Sequence, residues 1–239
     1  MKKLIGTLAI LSITIFVFGQ GEETTLENYE ASENLRELGS SSGTGAVQTF
    51  DNRYKGVKGS VYVFENWLPG ELFLKEKKKV HFPNLNYDVY DNYVVYKEEI
   101  GGTILEVNKR LIDFFYIYAE DTLKFVPVKL SKTTGTSFAE ILYEGETKLY
   151  RVFKKEFLKA NYEGGYSADR EYDEFVDKIS FQVHFPGQET LIKLKTNKGI
   201  AKQFPDHNSE MKKFLGNYSA GELKNQETLA EIMKYYDSL

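Results

Sequence analysis

Short stretches rich in Val, Ile, Tyr and Phe, separated by Gly, Asn, Asp and Pro, dominate the chain from about residue 56 to residue 196. A spacing of about 8–12 residues between such stretches is typical of antiparallel strands joined by turns, not of strand–helix–strand units. The predicted strands are Ser60–Phe64, Glu71–Lys75, Lys79–Phe82, Leu85–Tyr90, Tyr93–Lys97, Thr103–Val107, Leu111–Tyr118, Leu123–Leu130, Ser137–Tyr143, Lys148–Lys154, Phe175–Phe185 and Thr190–Thr196. A curved meander, a sandwich and a partly open barrel all fit this pattern.

The last part of the chain, about 206–239, has a helical pattern instead. Asp206 to Ser209 offer capping side chains before a short helix that Gly216 ends, and Asn225 can cap a second one. In that second helix an apolar stripe recurs with helical spacing at Leu229, Ile232, Met233 and Tyr236. We therefore predict an α+β fold, mainly antiparallel β, with two short C-terminal helices in a single domain over 56–239.

The N-terminus has the composition of a secretory signal peptide. A basic start at Lys2 and Lys3 precedes an uncharged apolar stretch, and Gly19 supplies a small residue before a cut at Gln20. We predict a signal peptide over 1–19, then a polar arm with a Gly/Ser linker over 20–55. The mature protein is then periplasmic or secreted and soluble, with no integral membrane segment after signal cleavage.

Composition excludes several classes of function. The chain has no cysteine, so it forms no disulfide, uses no thiolate nucleophile and is not a lipoprotein. Its formal net charge is −4, and removal of Lys2 and Lys3 with the signal peptide makes it more negative. Nucleic acid is therefore not a predicted partner, because it needs a concentrated basic face. The basic run Lys75–Lys79 is interpreted as a turn or a protected sheet edge.

Four tyrosines fall within the stretch NLNYDVYDNYVVY, residues 84–96. A two-residue turn at Asp91-Asn92 would pair Tyr90 with Tyr93 and Tyr87 with Tyr96. Opposed residues share a face, so Tyr87 and Tyr96 belong to a core-like face and Tyr90 and Tyr93 to a wet face. Cross-strand pairing explains the second pair, and the alternative is that Tyr90 and Tyr93 bind a ligand.

Two of the three histidines, His81 and His184, lie in the repeated tetrapeptide Val-His-Phe-Pro. Two similar strand ends could bring two imidazoles together, but a metal site needs a further ligand and a fixed outer shell. No such ligand follows from the spacing, so His81 and His184 are weak metal candidates and no metal or other cofactor is predicted. No nucleophile elbow, Walker loop or dinucleotide fingerprint is present, and no catalytic residue is assigned.

Several stretches together resemble a group of exported Bacteroidota proteins with no assigned activity. They are the signal ending Phe-Gly-Gln, Phe50–Ser60, Trp67, Gly70–Leu72, Leu85–Asn92 and Tyr235–Leu239. These motifs are turns and strand patterns, so the resemblance implies export from a Gram-negative cell and no catalytic residue.

The favoured function is a non-catalytic binding or interaction module of the cell envelope, whose ligand is a protein, a glycan or an apolar molecule. One alternative is a lipid or lipoprotein carrier, which requires an apolar concavity in the sheet. Another is a hydrolase that uses carboxylates, which requires two acids close together in a cleft.

Overall fold

The computed structural model describes residues 47–49, 54, 56–98, 102–131, 135–161, 171–197 and 199–239. The predicted signal peptide and most of the predicted arm lie outside these residues. The strands are β1 Val47–Thr49, β2 Leu68–Leu74, β3 Lys79–Asp88, β4 Tyr93–Lys97, β5 Ile104–Val107, β6 Ile112–Tyr118, β7 Thr122–Lys129, β8 Thr136–Glu144, β9 Lys148–Leu158, β10 Glu174–His184 and β11 Ile192–Lys193. Two helices, α1 Asn208–Leu215 and α2 Gln226–Tyr236, follow near the C-terminus.

All these strands belong to one antiparallel sheet with the order β1-β5-β4-β3-β2-β6-β7-β8-β9-β10-β11. Two meanders, β2 to β5 and β6 to β11, run outward from neighbouring central strands β2 and β6. The predicted α+β class, mainly antiparallel β with two C-terminal helices, is confirmed. Strand β1 lies within the stretch predicted as a polar arm and pairs with β5.

The sheet folds over on itself, and Tyr87 of β3 shows how closely. Strands β3 and β8 are four steps apart in the sheet order, or about 19 Å in a flat sheet. Nevertheless the Phe138 backbone N–H of β8 donates to the Tyr87 hydroxyl at 3.2 Å, and the two rings lie 5.9 Å apart. Burial raises the pKa of the Tyr87 phenol to about 12, so the hydroxyl stays protonated and donates to Asn92 Oδ1 at 2.7 Å.

The interior of this folded sheet, which we call the strand core, is filled by large side chains. The Phe115 and Phe125 rings stack at 4.8 Å, and Tyr87 and Phe138 pack edge-on against them. All of these rings are almost completely buried. The other buried members are Leu72, Leu74, Val80, Phe82, Leu85, Val94, Tyr96, Leu105, Val107, Ile112 and Ile117.

An irregular segment, 56–67, runs antiparallel beside the end of β3, where Tyr62 bridges Asp88, and also contacts the other face of that strand. The buried Asn86 amide donates to the Phe64 and Asn66 carbonyls, and the Val63 N–H donates to the Tyr87 carbonyl at 2.9 Å. At its start the same segment pairs with β10, where Lys58 bridges Glu174. Gly59, at φ +81°, allows this approach, because a Cβ there would lie 2.7 Å from the Phe175 carbonyl oxygen. The segment thus connects two distant strands.

The helices build a second core, the helix core, on β9 and β10. The predicted stripe is confirmed: Leu229, Ile232 and Met233 of α2 are fully buried, and they form one cluster with Leu149 and Val183 of the sheet. Asp237 fastens the end of α2, because its carboxylate accepts hydrogen bonds from Thr147 and from the Tyr143 hydroxyl. Among the described residues, no helix combines the length and apolarity needed to cross a bilayer.

The two helix starts differ from each other. Asn225 caps α2 as predicted, since its Oδ1 accepts from the N–H groups of Glu227 and Thr228. The N-cap of α1 is His207, which makes no side-chain capping bond, so the prediction of a capping side chain there is wrong. Packing of Met211 and Leu215 into the helix core holds α1 instead.

Candidate functional site

The β3–β4 hairpin has a different register from the predicted one. The last pair is Asp88–Tyr93, and Tyr87 faces Val94, so Tyr90 and Tyr93 are not cross-strand partners. Only Asn92 has the positive φ, 62°, that a two-residue turn requires at both positions. The Asp91 N–H instead donates to the Asp88 carboxylate at 2.9 Å, which widens the loop to four residues.

The predicted wet face of this hairpin is covered. Asn86, Asp88 and Val95 are fully buried, and the segment 56–67 contacts the first two, through bonds to the Asn86 amide and a bridge to Asp88. The predicted core-like face is correct. The register differs from the predicted one by two residues, and a shift of two residues leaves every side chain on the same face of the sheet.

Tyr90 lies in the turn and is 40% exposed. Its ring packs edge-on against Phe175 at 5.0 Å and against Tyr54 at 5.7 Å, at the ends of β9 and β10. These contacts give Tyr90 a structural role in closing the folded sheet. Tyr93 lies apart from this cluster, with the Lys109 ammonium 5.5 Å from its ring centroid. The structure therefore does not bring the two candidate ligand-binding tyrosines together.

His81 faces Glu71 across β2 and β3, with 3.9 Å between His81 Nδ1 and Glu71 Oε1. Lys79 and the Tyr118 hydroxyl contact the same carboxylate, each at 2.7 Å. Burial alone would raise the pKa of Glu71, but the Lys79 and Tyr118 bonds hold it below its ordinary value. Glu71 is thus an anionic partner for its neighbours.

His184 ends β10, and its Nε2–H donates to the Gln188 carbonyl at 2.9 Å. Six strand-to-strand steps separate β3 from β10, so each histidine has its own surroundings. Within the described part of the chain, no group of three or more His, Asp or Glu side chains has a geometry that could hold a metal ion.

An aromatic row lies on the outer face of β2 and β6. Phe73 and Phe114 stack at 4.4 Å, and Tyr116 packs edge-on against both at 5.6 Å. The Lys79 and Lys124 ammonium groups lie 5.7 and 5.3 Å from the Phe73 and Phe114 ring centroids. The rings stack on one another and the ammonium groups make cation–π contacts with them, so this arrangement stabilises the sheet surface.

A smaller cavity of about 240 Å³ lies between the β8–β9 turn and the start of α1. Its lining includes Glu146, Asp206, His207 and Asp237. Asp237 is the residue that fastens α2 through Thr147 and Tyr143, so its carboxylate is already fully engaged in the fold.

A larger cavity of about 590 Å³, which we call the basic pocket, lies where β10 and β11 meet the start of α2. Its apolar part is formed by Ile179, Phe181 and Leu194. Ile179 is 57% exposed, more than any other large hydrophobic side chain in the described residues. It lies beside Phe153 of β9, at the margin of the strand core. The remaining lining residues are Arg151, Ser180, Lys193, Thr196, Lys224 and Gln226.

The charged lining of the basic pocket is of one sign. Arg151, Lys193 and Lys224 contribute three cations, and no carboxylate or histidine lines the cavity. Lys193 lies on a segment that Gln203 holds in place through the Lys193 carbonyl and the Lys195 N–H. Lys224 directly precedes the N-cap of α2. Neither lysine forms an ion pair with another described residue.

Arg151 connects β9 to β8 and to the start of α2. Its Nε donates to Glu140 Oε2 and its Nη1 to Gln226 Oε1, both at 2.5 Å. Burial raises the pKa of the Glu140 carboxyl, and the charge and hydrogen bond of Arg151 offset only part of that effect. Because Glu140 balances Arg151, Lys193 and Lys224 supply the positive charge that is free to act on a ligand.

The sheet edge adds a polar group to the pocket. Strand β11 pairs only with Gln182 and Val183, and the Leu194 N–H then donates to the Phe181 carbonyl at 2.8 Å. In an antiparallel strand every second residue directs its N–H and C=O to the same side. The backbone N–H and C=O of Ile179 therefore point to the side of β10 on which β11 lies, beyond the last residue that pairs with β11.

Sequence reasoning did not identify the basic pocket. Its cations are far apart in the chain, and each one alone has the pattern of an ordinary surface residue. The one available signal was the alternation of Phe175, Ile179, Phe181 and Val183 along a single face of β10, which predicts burial for Ile179.

Comparison of the chain with protein-family models, curated proteins and solved structures finds no match.

Proposed function

We propose that this protein is an exported, non-catalytic binding protein of the envelope of a Gram-negative cell, and that the basic pocket binds an anionic ligand. The observation that carries this proposal is the single-sign lining: three cations and no carboxylate around one cavity, in a chain with a net charge of −4. A cavity lined by one sign of charge concentrates ligands of the opposite sign.

The lining supports binding more than catalysis. General acid–base chemistry most often uses histidine or a carboxylate that contacts the substrate, and neither lines the basic pocket. The carrier alternative requires an apolar concavity, whereas the strand core is filled by Phe115, Phe125 and Phe138. The hydrolase alternative requires paired acids in a cleft, and Asp237 in the smaller cavity serves the fold.

Export and location belong to the same proposal. The basic start, apolar stretch and small-residue cut site over 1–19 support cleavage before Gln20. Amino-terminal sequencing of the protein purified from the periplasm and the culture medium tests this, with a mature chain that begins at Gln20 expected. An uncleaved chain in the cytoplasm would contradict it.

Anion binding is tested by titrating the purified protein with inorganic phosphate and with acetate. The expected result is saturable movement of the Ile179 and Lys193 amide resonances, which weakens as ionic strength rises because exposed charges are screened. Lys193→Gln/Lys224→Gln should weaken binding at least fivefold. Lys202→Gln/Lys234→Gln, which removes two exposed lysines outside the pocket, is the matched control. Equal binding by both double variants would refute the proposal.

A further inference from the structure

The basic pocket has an apolar part and a cationic part, which suit different parts of one molecule. Ile179, Phe181 and Leu194 form one side of the lining, and Lys193 and Lys224 border the same cavity. A small inorganic anion would use the lysines and leave Ile179 exposed to water.

The exposure of Ile179 is the observation that most favours a ligand with an apolar part. On the same face of β10, Phe175 and Val183 are buried, whereas Ile179 is 57% exposed and lies between the exposed Asp177 and the half-buried Phe181. Covering an aliphatic side chain of this size with apolar atoms is favourable because it removes apolar surface from water. A ligand with an apolar part would gain from this surface, and a purely polar ligand would not.

We infer that the ligand of the basic pocket is a single-chain anionic amphiphile, a carboxylate or phosphate joined to an alkyl group, and this inference rests on the proposed function. The anionic group binds between Lys193 and Lys224, within reach of the edge where the Ile179 N–H points. The alkyl group covers Ile179 and Phe181. The cavity of about 590 Å³ is within the usual range for small-molecule sites.

The strand core explains why this site lies at the edge of the sheet and not inside it. The folded sheet encloses aromatic rings that pack at 4.8–6.1 Å. The strand core therefore leaves no room for an alkyl chain, whereas Ile179 offers exposed apolar surface beside Phe153, where the strand core ends and before the helix core begins. The Arg151 network with Glu140 and Gln226 holds β9 to α2 at this boundary.

The test compares a series of carboxylates of increasing length, acetate, butanoate, hexanoate and octanoate, by isothermal titration of the purified protein. Full burial of a methylene is worth about 0.8 kcal/mol, or roughly fourfold in affinity. Because the pocket is open on one side, we expect at least a twofold gain for each added methylene. 1-Octanol, which has the chain without the charge, should bind at least tenfold more weakly than octanoate.

Two variants separate the two halves of the site. Ile179→Gln should abolish the gain with chain length, so that octanoate binds this variant no more tightly than acetate does. Lys193→Gln/Lys224→Gln should weaken every anion. Ile179 is at the surface, so its substitution leaves the two cores intact, and circular dichroism checks this.

The outcomes distinguish this inference from the proposed function. If acetate and octanoate bind equally, the anion site stands and the amphiphile inference is overturned. If no anion binds and the lysine variants change nothing, both fail. If affinity rises with chain length equally in Ile179→Gln, the alkyl group binds elsewhere and the inference is again overturned.

A lipid headgroup and a free amphiphile share this chemistry, and vesicles separate the two sources. Flotation with phosphatidylglycerol vesicles that Lys193→Gln/Lys224→Gln abolishes would assign the ligand to a membrane lipid. Octanoate binding without flotation would assign it to a free amphiphile.

Discussion

The strand core and the helix core use one sheet but cover it in different ways. In the strand core the sheet folds onto itself, and large aromatic rings fill the interior. Polar contacts fix that fold: the Tyr87 hydroxyl joins β3 to β8, and the Asn86 amide holds the segment 56–67. In the helix core an apolar stripe on α2 covers β9 and β10.

This difference shows what each kind of cover demands. A helix needs only an apolar face to bury a sheet, because its own backbone hydrogen bonds are satisfied internally. An irregular segment must find a partner for each backbone group that it buries, which explains the fully buried Asn86 beneath it. The basic pocket forms at the boundary between the two, where neither cover reaches Ile179.

The largest expected effect on the free energy of unfolding comes from one large-to-small substitution in each core. Phe115→Ala in the strand core should lower the free energy of unfolding by about 3–5 kcal/mol, and Ile232→Ala in the helix core by about 2–5 kcal/mol. Both residues are 0–1% exposed, so each substitution leaves a cavity. Urea denaturation measures both losses.

Two signals in the same experiment examine whether the cores are independent. Trp67, the only tryptophan, packs on Tyr62 at 5.2 Å and reports on the strand core, while circular dichroism at 222 nm reports on the helices. Strands β8 and β9 contribute to both cores, so the two transitions should coincide in both variants. Loss of helix signal at a lower urea concentration than the Trp67 transition in Ile232→Ala would show two separate units.

The next effect concerns the ion pair between Arg151 of β9 and Glu140 of β8, at the boundary of the two cores. Arg151→Met removes the partner of Glu140, whose side chain is 5% exposed, and should cost about 3 kcal/mol because a buried charge is left unpaired. Burial raises the pKa of Glu140 even with Arg151 present, and the variant should raise it further. The native state then holds the proton more tightly than the unfolded state.

The sign of the pH dependence follows from this. As pH rises through the ordinary carboxyl range toward the raised pKa of Glu140, the unfolded state loses its proton first and the variant loses stability. The deficit of Arg151→Met should therefore be larger at pH 8 than at pH 5. Glu140→Gln/Arg151→Met should recover part of the stability and remove the pH dependence. A deficit independent of pH in the single variant would show that Glu140 is not left charged.

Local patterns predict most of the secondary structure. Strand β4 has the predicted bounds, and the helical spacing of Leu229, Ile232 and Met233 identifies the face that is buried. These features depend on neighbours within one or two turns of the chain. One local rule fails at Pro83: the predicted strand Lys79–Phe82 stops before it, whereas β3 continues through it. The ladder with β2 skips this position at a bulge between Leu68 and Gly70, so no N–H is needed there.

Features that leave no periodic pattern, or that depend on distant parts of the chain, escape prediction. The Asp88 side chain changes the hairpin loop through one bond to the Asp91 N–H, and no periodicity shows it. The predicted strand Ser60–Phe64 forms only one bridge, at Tyr62, which pairs antiparallel with Asp88 at the end of β3. The basic pocket joins Arg151, Lys193 and Lys224 only after β9, β11 and the helices are assembled.

The smallest expected effect compares two asparagines. Asn86 of β3 holds the irregular segment 56–67, and Asn225 caps α2. Asn86→Ala removes a fully buried amide that bonds the Phe64 and Asn66 carbonyls, and should cost about 1–3 kcal/mol because those carbonyls lose their partner. Asn225→Ala removes the exposed N-cap of α2 and should cost about 1 kcal/mol. Urea denaturation gives both values, and Asn225→Asp, which retains a capping oxygen, should lose almost nothing.

Trp67 fluorescence then shows which cover has loosened. Asn86→Ala frees the segment that carries Trp67, so emission should shift toward longer wavelength in the native state, while Asn225→Ala leaves it unchanged. If Asn225→Ala were the more costly of the two, helix capping would limit stability more than the buried amide does. The strand core would then need only its aromatic rings to stay closed, and the irregular cover would be held by packing of Tyr62 and Trp67 instead of by Asn86.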